Sequence, residues 1–325
     1  MEFALGTVCS VTLYEHADER IYNDIFNRLR EIENLMSVNI PSSDISRINA
    51  AAGIEPVHVH EDTIKVIERA IYFAEVSCTD ANGMDAAGMD ADGAFDPTVG
   101  PLVSLWGISG DNPRIPTQAE IDKVLPLINW RNVEINFNAN TVFLKHYGMA
   151  LDLGAIAKGY AADEAAAILR NTRVKRAIID LGGNVILYGE KKDKSLWKVG
   201  IQNPLEERGI LIGVIQVKEK TVVTSGVYER FFEQDGKRYH HIFSPSQGYP
   251  AGSGLLSVTI IADNSMEADA LSTAVFVLGY ERGRALLNSF PGTEAIFIFE
   301  DMSIGTTDRV DFTLTDKTFY VKDYI

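Results

Sequence analysis

The 325-residue sequence is poor in cysteine and contains no long hydrophobic run. Its two cysteines, Cys9 and Cys78, belong to no Cys-x-x-Cys pair and to no Cys/His cluster. This pattern favours two buried thiols and argues against a disulfide or a structural zinc site. No apolar stretch approaches the roughly 20 residues that a transmembrane helix needs, so we expect no transmembrane span in this chain.

Basic residues are also scarce. Lys and Arg together number 30 against 45 Asp and Glu, which gives a formal net charge of -15. Because clustered Lys and Arg bind phosphate backbones, this charge argues against a nucleic-acid partner. An acidic protein that handles an anionic nucleotide needs a local source of positive charge, such as a metal ion or a helix N-terminus.

Hydrophobic periodicity predicts a mixture of helices and strands. Helices are predicted at 21–36, 62–76, 156–171 and 265–289 (broken at Gly279), and a capping box at Thr117 and Glu120 predicts a short helix toward Leu127. Strands are predicted at 6–14, 133–144 (a hairpin), 176–180, 184–188, 197–202, 211–217, 221–224, 238–243, 255–262 and within 295–325. Because helices and strands do not alternate strictly, we predict an α+β fold rather than a doubly wound parallel sheet.

One segment of low complexity, residues 80–93, repeats the tetrapeptide Gly-Met-Asp-Ala. Its acids suggest calcium, but the segment lacks the spaced acids ending in Glu of an EF-hand loop. An acidic surface insertion is the favoured interpretation.

Residues 151–160 read Leu-Asp-Leu-Gly-Ala-Ile-Ala-Lys-Gly-Tyr. We interpret them as a buried strand that ends at Asp152, a turn at Gly154 and a helix of small residues. Free N–H groups at such a helix start can hold a phosphate, Lys158 can neutralise an anion, and Asp152 can bind a base or sugar edge. An ordinary strand-to-helix turn is the alternative interpretation.

Asp269 and Thr273 are four residues apart on a predicted helix, so their oxygens project from the same face. A carboxylate, a hydroxyl and phosphate oxygens form the ligand set that Mg²⁺ prefers. A solvated helix face is the alternative, but the neighbouring residues are apolar, and a carboxylate in such surroundings needs a partner.

Two further segments are candidates. His240 and His241 are adjacent on a predicted strand and point to opposite faces, so at most one can serve a given site as a general base. No other His or Cys is spaced suitably for zinc. Residues 93–101 combine small residues and prolines in a stiff loop, in which Phe95 can lie against a ring or the loop is purely structural.

Together and in this order, these segments resemble the ApbE family, the FAD:protein FMN transferases, along nearly the whole chain. The matching stretches are GTVCSVTLY, LMSVNIPSSDISRIN, GAFDPTVGPLVSLWG, LDLGAIAKGYAAD, IIDLGGNV, TSGVYERFF, YHHIFSPSQGYP and MEADALSTAVFVLG. Eight motifs in a fixed order are far more specific than any one glycine pattern.

The resemblance implies a single domain over 1–325, with mixed sheets and flanking helices. It further implies two interleaved lobes with the FAD and Mg²⁺ site in the cleft between them. The implied reaction is Mg²⁺-dependent transfer of FMN from FAD to a threonine or serine hydroxyl of a target flavoprotein, with release of AMP. The implied location is the periplasmic side of a bacterial inner membrane, as a lipoprotein whose signal is absent from this sequence.

The resemblance also assigns residues to the site. The metal ligands would be the main-chain carbonyl of Ala155, the carboxylate of Asp269 and the hydroxyl of Thr273. The FAD contacts would come from Met36, Asn39, Ala94, Phe95, Asp96, Asp152, Lys158, His241 and Ile242. Our own hypothesis is that His241 is the base that removes the proton of the attacking hydroxyl, and we assign a catalytic role to Asp269 as well.

Asn39 stands where many family members have an aromatic residue, and the loss of a stacking ring favours turnover by water. An FAD pyrophosphatase, which releases FMN and AMP, is therefore an alternative function. A flavin-storing protein that uses the same pocket without cleavage is a second alternative. A metal-dependent phosphoesterase with no need for flavin is a third.

Overall fold

The computed structural model describes residues 1–78 and 93–322, and their mixture of helices and strands confirms the α+β class. Except for Gly93, the predicted insertion at 80–93 lies outside the described residues. The helices of the described part are α1 (Glu19–Met36), α2 (Asp44–Ala50), α3 (Glu61–Val76), α4 (Gly100–Trp106), α5 (Gln118–Val124), α6 (Ala157–Arg170) and α7 (Ser265–Leu287). Within 1–78 and 93–322, no helix combines the length and the apolar character needed to cross a membrane.

The strands are short and almost all antiparallel. In chain order they are β1 (Glu2–Ala4), β2 (Thr7–Leu13), β3 (Val57–His58), β4 (Val133–Asn136), β5 (Thr141–Leu144), β6 (Ala177–Leu181), β7 (Asn184–Tyr188), β8 (Trp197–Gln202), β9 (Leu211–Val217), β10 (Thr221–Gly226), β11 (Phe231–Gln234), β12 (Lys237–His240), β13 (Leu255–Ala262), β14 (Glu294–Phe299), β15 (Ser303–Thr306), β16 (Phe312–Leu314) and β17 (Tyr320–Val321).

The chain divides into two compact units. The first unit consists of Met1–Arg30, Lys158–Tyr228 and Ser253–Ile325. The second unit consists of Glu31–Ala157 and Glu229–Gly252. Each unit is therefore assembled from segments that are far apart in the sequence.

The first unit contains a nine-stranded sheet in the order β1-β2-β6-β7-β10-β13-β14-β15-β17 and a three-stranded sheet in the order β16-β9-β8. Helix α7 packs against β10 and β13. On the other side, side chains of the small sheet, such as Ile201 and Ile215, share a core cluster with Val222 and Ile261. Strand β13 is covered on both faces, which explains why nearly all of its residues are buried instead of alternating between buried and exposed.

Helices α6 and α7 are held together at the start of α7. The Asp163 carboxylate on α6 accepts the main-chain N–H groups of Ser265 and Met266, both at 2.9 Å. Asn264 caps the same helix end, because its side-chain oxygen accepts the Glu267 N–H at 2.9 Å. The predicted break at Gly279 is confirmed: its φ of 74° is a left-handed value that glycine adopts without a steric penalty.

The second unit contains α2 to α5, the sheet β3-β5-β4 and the hairpin β11–β12. One of its cores surrounds Trp106, which is fully buried with Leu102 and Ile121 and donates its indole N–H to the Gly248 carbonyl at 2.9 Å. The predicted capping box at Thr117 and the predicted hairpin of β4 and β5 are both confirmed. Cys9 in the first unit and Cys78 in the second are buried thiols that form no disulfide with each other, as the sequence predicts.

The prediction of a buried strand that ends at Asp152 is wrong. The segment is not a strand, since its ladder contact is a single bridge between Val99 and Ala150. The Asn49 side chain takes the place of a neighbouring strand: it donates to the Leu151 carbonyl at 2.9 Å and accepts the Leu151 N–H at 2.7 Å. An amide side chain thus satisfies a buried backbone that has no ladder, and periodicity does not predict this.

Several short elements were also missed, namely α2, α4, β1, β3 and β11, and the strand predicted at 238–243 ends at His240. Each of these elements is seven residues or shorter, so it covers at most two helical turns or a few strand positions. Within so few residues, helical and strand periodicity cannot be told apart.

Because α6 and α7 approach closely at Gly159, we expect the substitution Gly159→Ala to lower the free energy of unfolding. In a helix this change normally stabilises by about 0.5–1 kcal/mol. Here a Cβ would lie 2.6 Å from Met266 Cα, so we expect a loss of about 1–3 kcal/mol in urea unfolding. The control is Gly252→Ala, where a Cβ would meet nothing within 4 Å. Stabilisation by Gly159→Ala would show that the two helices can separate without cost.

Because His240 is buried, we expect the free energy of unfolding to depend on pH. Burial lowers the pKa of His240 from 6.5 to about 4, so the folded state keeps this ring neutral while the unfolded state takes up a proton below about pH 6.5. Its contribution to stability is therefore fully present above pH 6.5 and falls by about 3 kcal/mol between pH 6.5 and 4.

The measurement is urea unfolding at several pH values for the wild type and for His240→Asn, whose profile should be flatter across that window. The exposed His58 provides the control variant His58→Asn, which should keep the wild-type slope. Equal slopes for all three proteins would contradict the assignment to His240.

Candidate functional site

Asp269 is a buried carboxylate in the first unit whose two oxygens have different surroundings. Its side chain lies on α7, and the residue is 4% exposed. Oδ2 accepts the Gly159 N–H at 2.8 Å. Oδ1 lies 4.0 Å from Lys158 Nζ and accepts no hydrogen bond from any residue in 1–78 or 93–322. Burial raises the pKa of Asp269, while the positive charge of Lys158 and the Gly159 N–H act to lower it.

Thr273 lies one turn further along α7, as the spacing predicts. Its hydroxyl is half-buried and lies 3.3 Å from the Ser225 hydroxyl of β10. Lys158 lies in the first turn of α6. The structure therefore brings Lys158, Asp269 and Thr273 together within the first unit.

These residues fit a hard divalent cation. An oxygen of a buried carboxylate residue that accepts no hydrogen bond needs a positive partner, and the Lys158 ammonium at 4.0 Å is beyond hydrogen-bond distance. Carboxylate and hydroxyl oxygens are ligands that Mg²⁺ accepts. No group of three or more His, Cys, Asp or Glu in the described ranges is arranged to hold a metal. A cation here would accordingly have one carboxylate and take its other ligands from hydroxyl, main-chain, phosphate or water oxygens.

The start of α6 differs from the expectation that its N–H groups are free for a phosphate. The N–H groups of Ile156 and Ala157 donate to the Leu153 carbonyl at 3.0 and 2.9 Å. The Gly159 N–H donates to Asp269. These three amides are already used by the protein, and the predicted contact of the Lys158 side chain with an anion stays a prediction.

Asp152 and Ala155 lie in the second unit, and both are half-buried. The main-chain N–H of Asp152 donates to the Pro97 carbonyl at 2.8 Å, and its carboxylate accepts the Gly154 N–H at 2.7 Å. The carboxylate thereby stabilises the turn that presents Ala155. The proposed roles of Asp152 as a ligand contact and of the Ala155 carbonyl as a metal ligand stay predictions.

The loop at 94–96 is more deeply packed than the sequence suggested. Ala94 is buried, and Phe95 is 4% exposed with its ring centroid 6.3 Å from that of Phe73. The ring of Phe95 is therefore a core side chain and not an open surface for stacking. Any contact of this loop with a flavin has to come from its main chain or from Asp96.

The Asp96 carboxylate organises that loop. Its Oδ1 accepts the N–H and the hydroxyl of Thr98, at 2.7 and 2.6 Å, and its Oδ2 accepts the Trp130 N–H at 3.1 Å. Burial raises the pKa of Asp96, and the hydrogen bonds from Thr98 and Trp130 oppose this shift.

Met36 and Asn39 differ in exposure although they are three residues apart. Met36 ends α1 and is buried, whereas Asn39 is exposed and its main-chain N–H donates to the Ser37 hydroxyl at 3.2 Å. Asn39 has a side chain accessible to a ligand, and Met36 contributes packing. Their predicted contacts with FAD stay predictions.

The two histidines differ in burial, although β12 ends at His240 and His241 lies just beyond the strand. His240 is 7% exposed, and its Nδ1 accepts the Ile242 N–H at 3.3 Å. His241 is half-buried, and its Nδ1 lies 3.2 Å from the Arg230 carbonyl. Because a carbonyl oxygen only accepts, Nδ1 of His241 carries the proton in this contact, and the basic lone pair is on Nε2. Ile242 itself is buried.

Four polar residues that the sequence did not single out form hydrogen bonds with residues around these positions: Asn49, Asp163, Ser225 and Ser272. All four lie inside the motif stretches on which the resemblance rests. The signal that points to them is a small polar side chain in an apolar helix or strand, where each must find a hydrogen-bond partner.

Comparison with known proteins identifies the family of this chain. The model of the ApbE family matches residues 5–297. The chain is 38% identical to the FAD:protein FMN transferase of Treponema pallidum, over 95% of this chain and 87% of the relative. It is also 38% identical to a FAD:protein FMN transferase of Klebsiella pneumoniae, over 98% of this chain and 95% of the relative.

Solved structures show the same similarity. The ApbE protein of Thermotoga maritima superposes with a TM-score of 0.79 at 36% identity, covering 98% of this chain and 96% of that one. The flavin transferase ApbE from Vibrio cholerae gives a TM-score of 0.77 at 28% identity, covering 98% and 97%. The family match over most of the length and the two relatives at 38% identity agree with the motifs read from the sequence, and this chain belongs to the ApbE family.

Proposed function

We propose that this protein is an FAD:protein FMN transferase, which moves the FMN half of FAD onto a hydroxyl of a target protein and releases AMP. The observation that carries the proposal is the Asp269 carboxylate, buried beside Thr273 and Lys158 with one oxygen that accepts no hydrogen bond from the described residues. The proposal is supported by relatives of that name at 38% identity.

The proposed metal is Mg²⁺, with Asp269, Thr273 and the main-chain carbonyl of Ala155 as its protein ligands. When bound, Mg²⁺ withdraws charge from the pyrophosphate and stabilises the AMP leaving group. Lys158, with its ammonium next to the same carboxylate, supplies a further positive charge for an anionic substrate.

In the transfer, the acceptor oxygen forms a bond to the phosphorus atom of the FMN half, and the bond from that phosphorus to the bridging oxygen breaks. The bridging oxygen leaves with AMP. The acceptor proton passes to Nε2 of His241, whose tautomer is set by the Nδ1 contact with Arg230. No oxidation or reduction takes place.

The proposed acceptor is a threonine or serine of a flavoprotein, and the proposed location is the periplasmic side of a bacterial inner membrane. The names of the relatives favour transfer over hydrolysis. The test incubates the protein with FAD, MgCl₂ and a candidate acceptor protein, followed by mass spectrometry of the acceptor and chromatography for AMP. A covalent FMN adduct with AMP release is the expected result.

The other outcomes identify the alternatives. AMP and free FMN without an adduct, for every acceptor offered, would indicate an FAD pyrophosphatase. Tight FAD binding without AMP would indicate a flavin-storing protein. Hydrolysis of a simple phosphoester by a protein that FAD does not stabilise would indicate a phosphoesterase.

Asp269→Asn tests the metal assignment. The amide keeps the shape and can still accept the Gly159 N–H, but it removes the charge that attracts the cation. We expect the Kd for Mn²⁺, used as a spectroscopic substitute for Mg²⁺, to rise at least about a hundredfold, or ~3 kcal/mol, and AMP release to fall in step. The unfolding free energy without metal should not decrease, because a buried charge is removed.

The control is Asp263→Asn, which changes a carboxylate six positions earlier whose side chain is 75% exposed and paired with Lys220. It should leave the Kd for Mn²⁺ unchanged. Full AMP release by Asp269→Asn, or by the wild type in excess EDTA, would refute the metal assignment.

His241→Gln tests the proposed base. We expect AMP release to slow by about 10²–10⁴-fold, with the Kd for FAD within about twofold of the wild type, because a positioned base acts on the rate of proton transfer. Transfer to protein and hydrolysis by water should slow alike, since both need a deprotonated attacker. The exposed His146 provides the control His146→Gln. Wild-type rates for His241→Gln would move the base elsewhere, for example to Asp152.

A further inference from the structure

Three hydroxyls of the first unit form a chain between α7 and β10. Ser272 Oγ lies 2.8 Å from the main-chain carbonyl of Asp269. Ser225 Oγ lies 2.8 Å from Ser272 Oγ and 3.3 Å from Thr273 Oγ1. Ser272 is fully buried, and Ser225 and Thr273 are half-buried. The function proposed above leaves Ser225 and Ser272 without a role.

The direction of this chain follows from its last acceptor. A carbonyl oxygen has no proton, so the Ser272 hydroxyl donates to Asp269 O. The single proton of Ser272 is then used, and the 2.8 Å contact between the two serines requires Ser225 to donate. With the proton of Ser225 used as well, the contact at 3.3 Å requires Thr273 to donate and Ser225 to accept.

This direction has a consequence for Thr273. A hydroxyl carries one proton and two lone pairs, and a cation can be bound only by a lone pair. A Thr273 proton directed toward Ser225 leaves the lone pairs of Thr273 for the side of the oxygen that faces away from Ser225. We propose that Ser225 is a positioning residue, which acts through Thr273 by holding its hydroxyl with the lone pairs presented to the cation.

The inference rests on the proposed metal role of Asp269 and Thr273. Ser272 supports it indirectly: by occupying the Asp269 carbonyl, it fixes the direction of the chain. The same carbonyl lies one turn before Thr273, where a helical threonine commonly directs its own hydroxyl. At 3.3 Å the contact between Ser225 and Thr273 is longer than the usual 2.7–2.8 Å of hydroxyl pairs. It strengthens when a cation draws electron density from the Thr273 oxygen, because the hydroxyl then becomes a better donor.

The first measurement is the Kd for Mn²⁺, determined by electron paramagnetic resonance without FAD. Ser225→Ala should raise this Kd about tenfold, the size of effect typical of residues that orient metal ligands. Ser225→Thr keeps the hydroxyl and should restore a Kd within about threefold of the wild type. Urea unfolding without metal establishes that each variant is folded.

The matched control is the neighbouring residue on the same strand. Thr224 forms its own hydroxyl pair with Thr259 at 2.8 Å on the opposite face of β10. Thr224→Ala removes a similar bond from the same strand, so it should lower stability and leave the Kd for Mn²⁺ unchanged. An equal loss of Mn²⁺ affinity in Thr224→Ala would show that general weakening of β10 explains the effect, and would overturn the proposal.

A double-mutant cycle separates this inference from the metal assignment. In a Thr273→Val background there is no hydroxyl to orient, so adding Ser225→Ala should change the Kd by less than about twofold. The same loss from Ser225→Ala in both backgrounds, or no loss in the wild-type background, would overturn the role of Ser225 while Asp269-dependent Mn²⁺ binding still stands. If the wild type itself bound no Mn²⁺, both the metal assignment and this inference would fail.

Discussion

The hydrogen bond from the Gly159 N–H to the buried Asp269 carboxylate is the contact on which the first-unit site depends. It requires α6 and α7 to touch at their first turns, which only glycine permits at position 159, since a Cβ would meet Met266 Cα at 2.6 Å. Asp163 secures the same contact one helical turn further along α6 by binding two N–H groups of α7. Because one oxygen of Asp269 is held by the backbone, the other has a fixed direction. Lys158 and Thr273 are positioned by the same pair of helices. The packing of α6 against α7 therefore also determines where the side chains of Lys158, Asp269 and Thr273 lie.

Much of this arrangement could be predicted from the sequence, and the reasons are physical. Long amphipathic or apolar stretches were predicted close to their observed bounds, as for α1, α3 and α7, because periodicity accumulates over their length. The pair Asp269 and Thr273 could be predicted because helical spacing alone places them on one face. The family resemblance then connected residues that spacing leaves unrelated.

The remaining features depend on contacts between residues far apart in sequence. Nothing local to Gly159 indicates that its N–H meets a carboxylate 110 positions away, and so the N–H groups at this helix start were interpreted as able to hold a phosphate. For Phe95 the sequence left both a ring contact and a purely structural loop open, because loop composition does not reveal the core around Phe73. The strand expected before Asp152 failed for the same reason, since its backbone is bound by the distant side chain of Asn49. In each case the sequence shows which chemical group is present but not which distant residue it contacts.

The assembly of each unit from separate segments also constrains how the chain can fold. In the first unit, strand β2 pairs along its length with β6, so that Leu13 lies opposite Ala177. During synthesis from the N-terminus, β2 therefore emerges long before β6 has been made. Its hydrogen bonds with β6 can form only after the intervening residues, many of them in the second unit, have been synthesised. Closing so long a loop carries a large entropic cost, and pairing at this distance slows folding. The edge of β2 that faces β6 is consequently unpaired, and exposed to aggregation and to chaperones, until residue 181 has left the ribosome, whereas β1 can pair with the other edge at once.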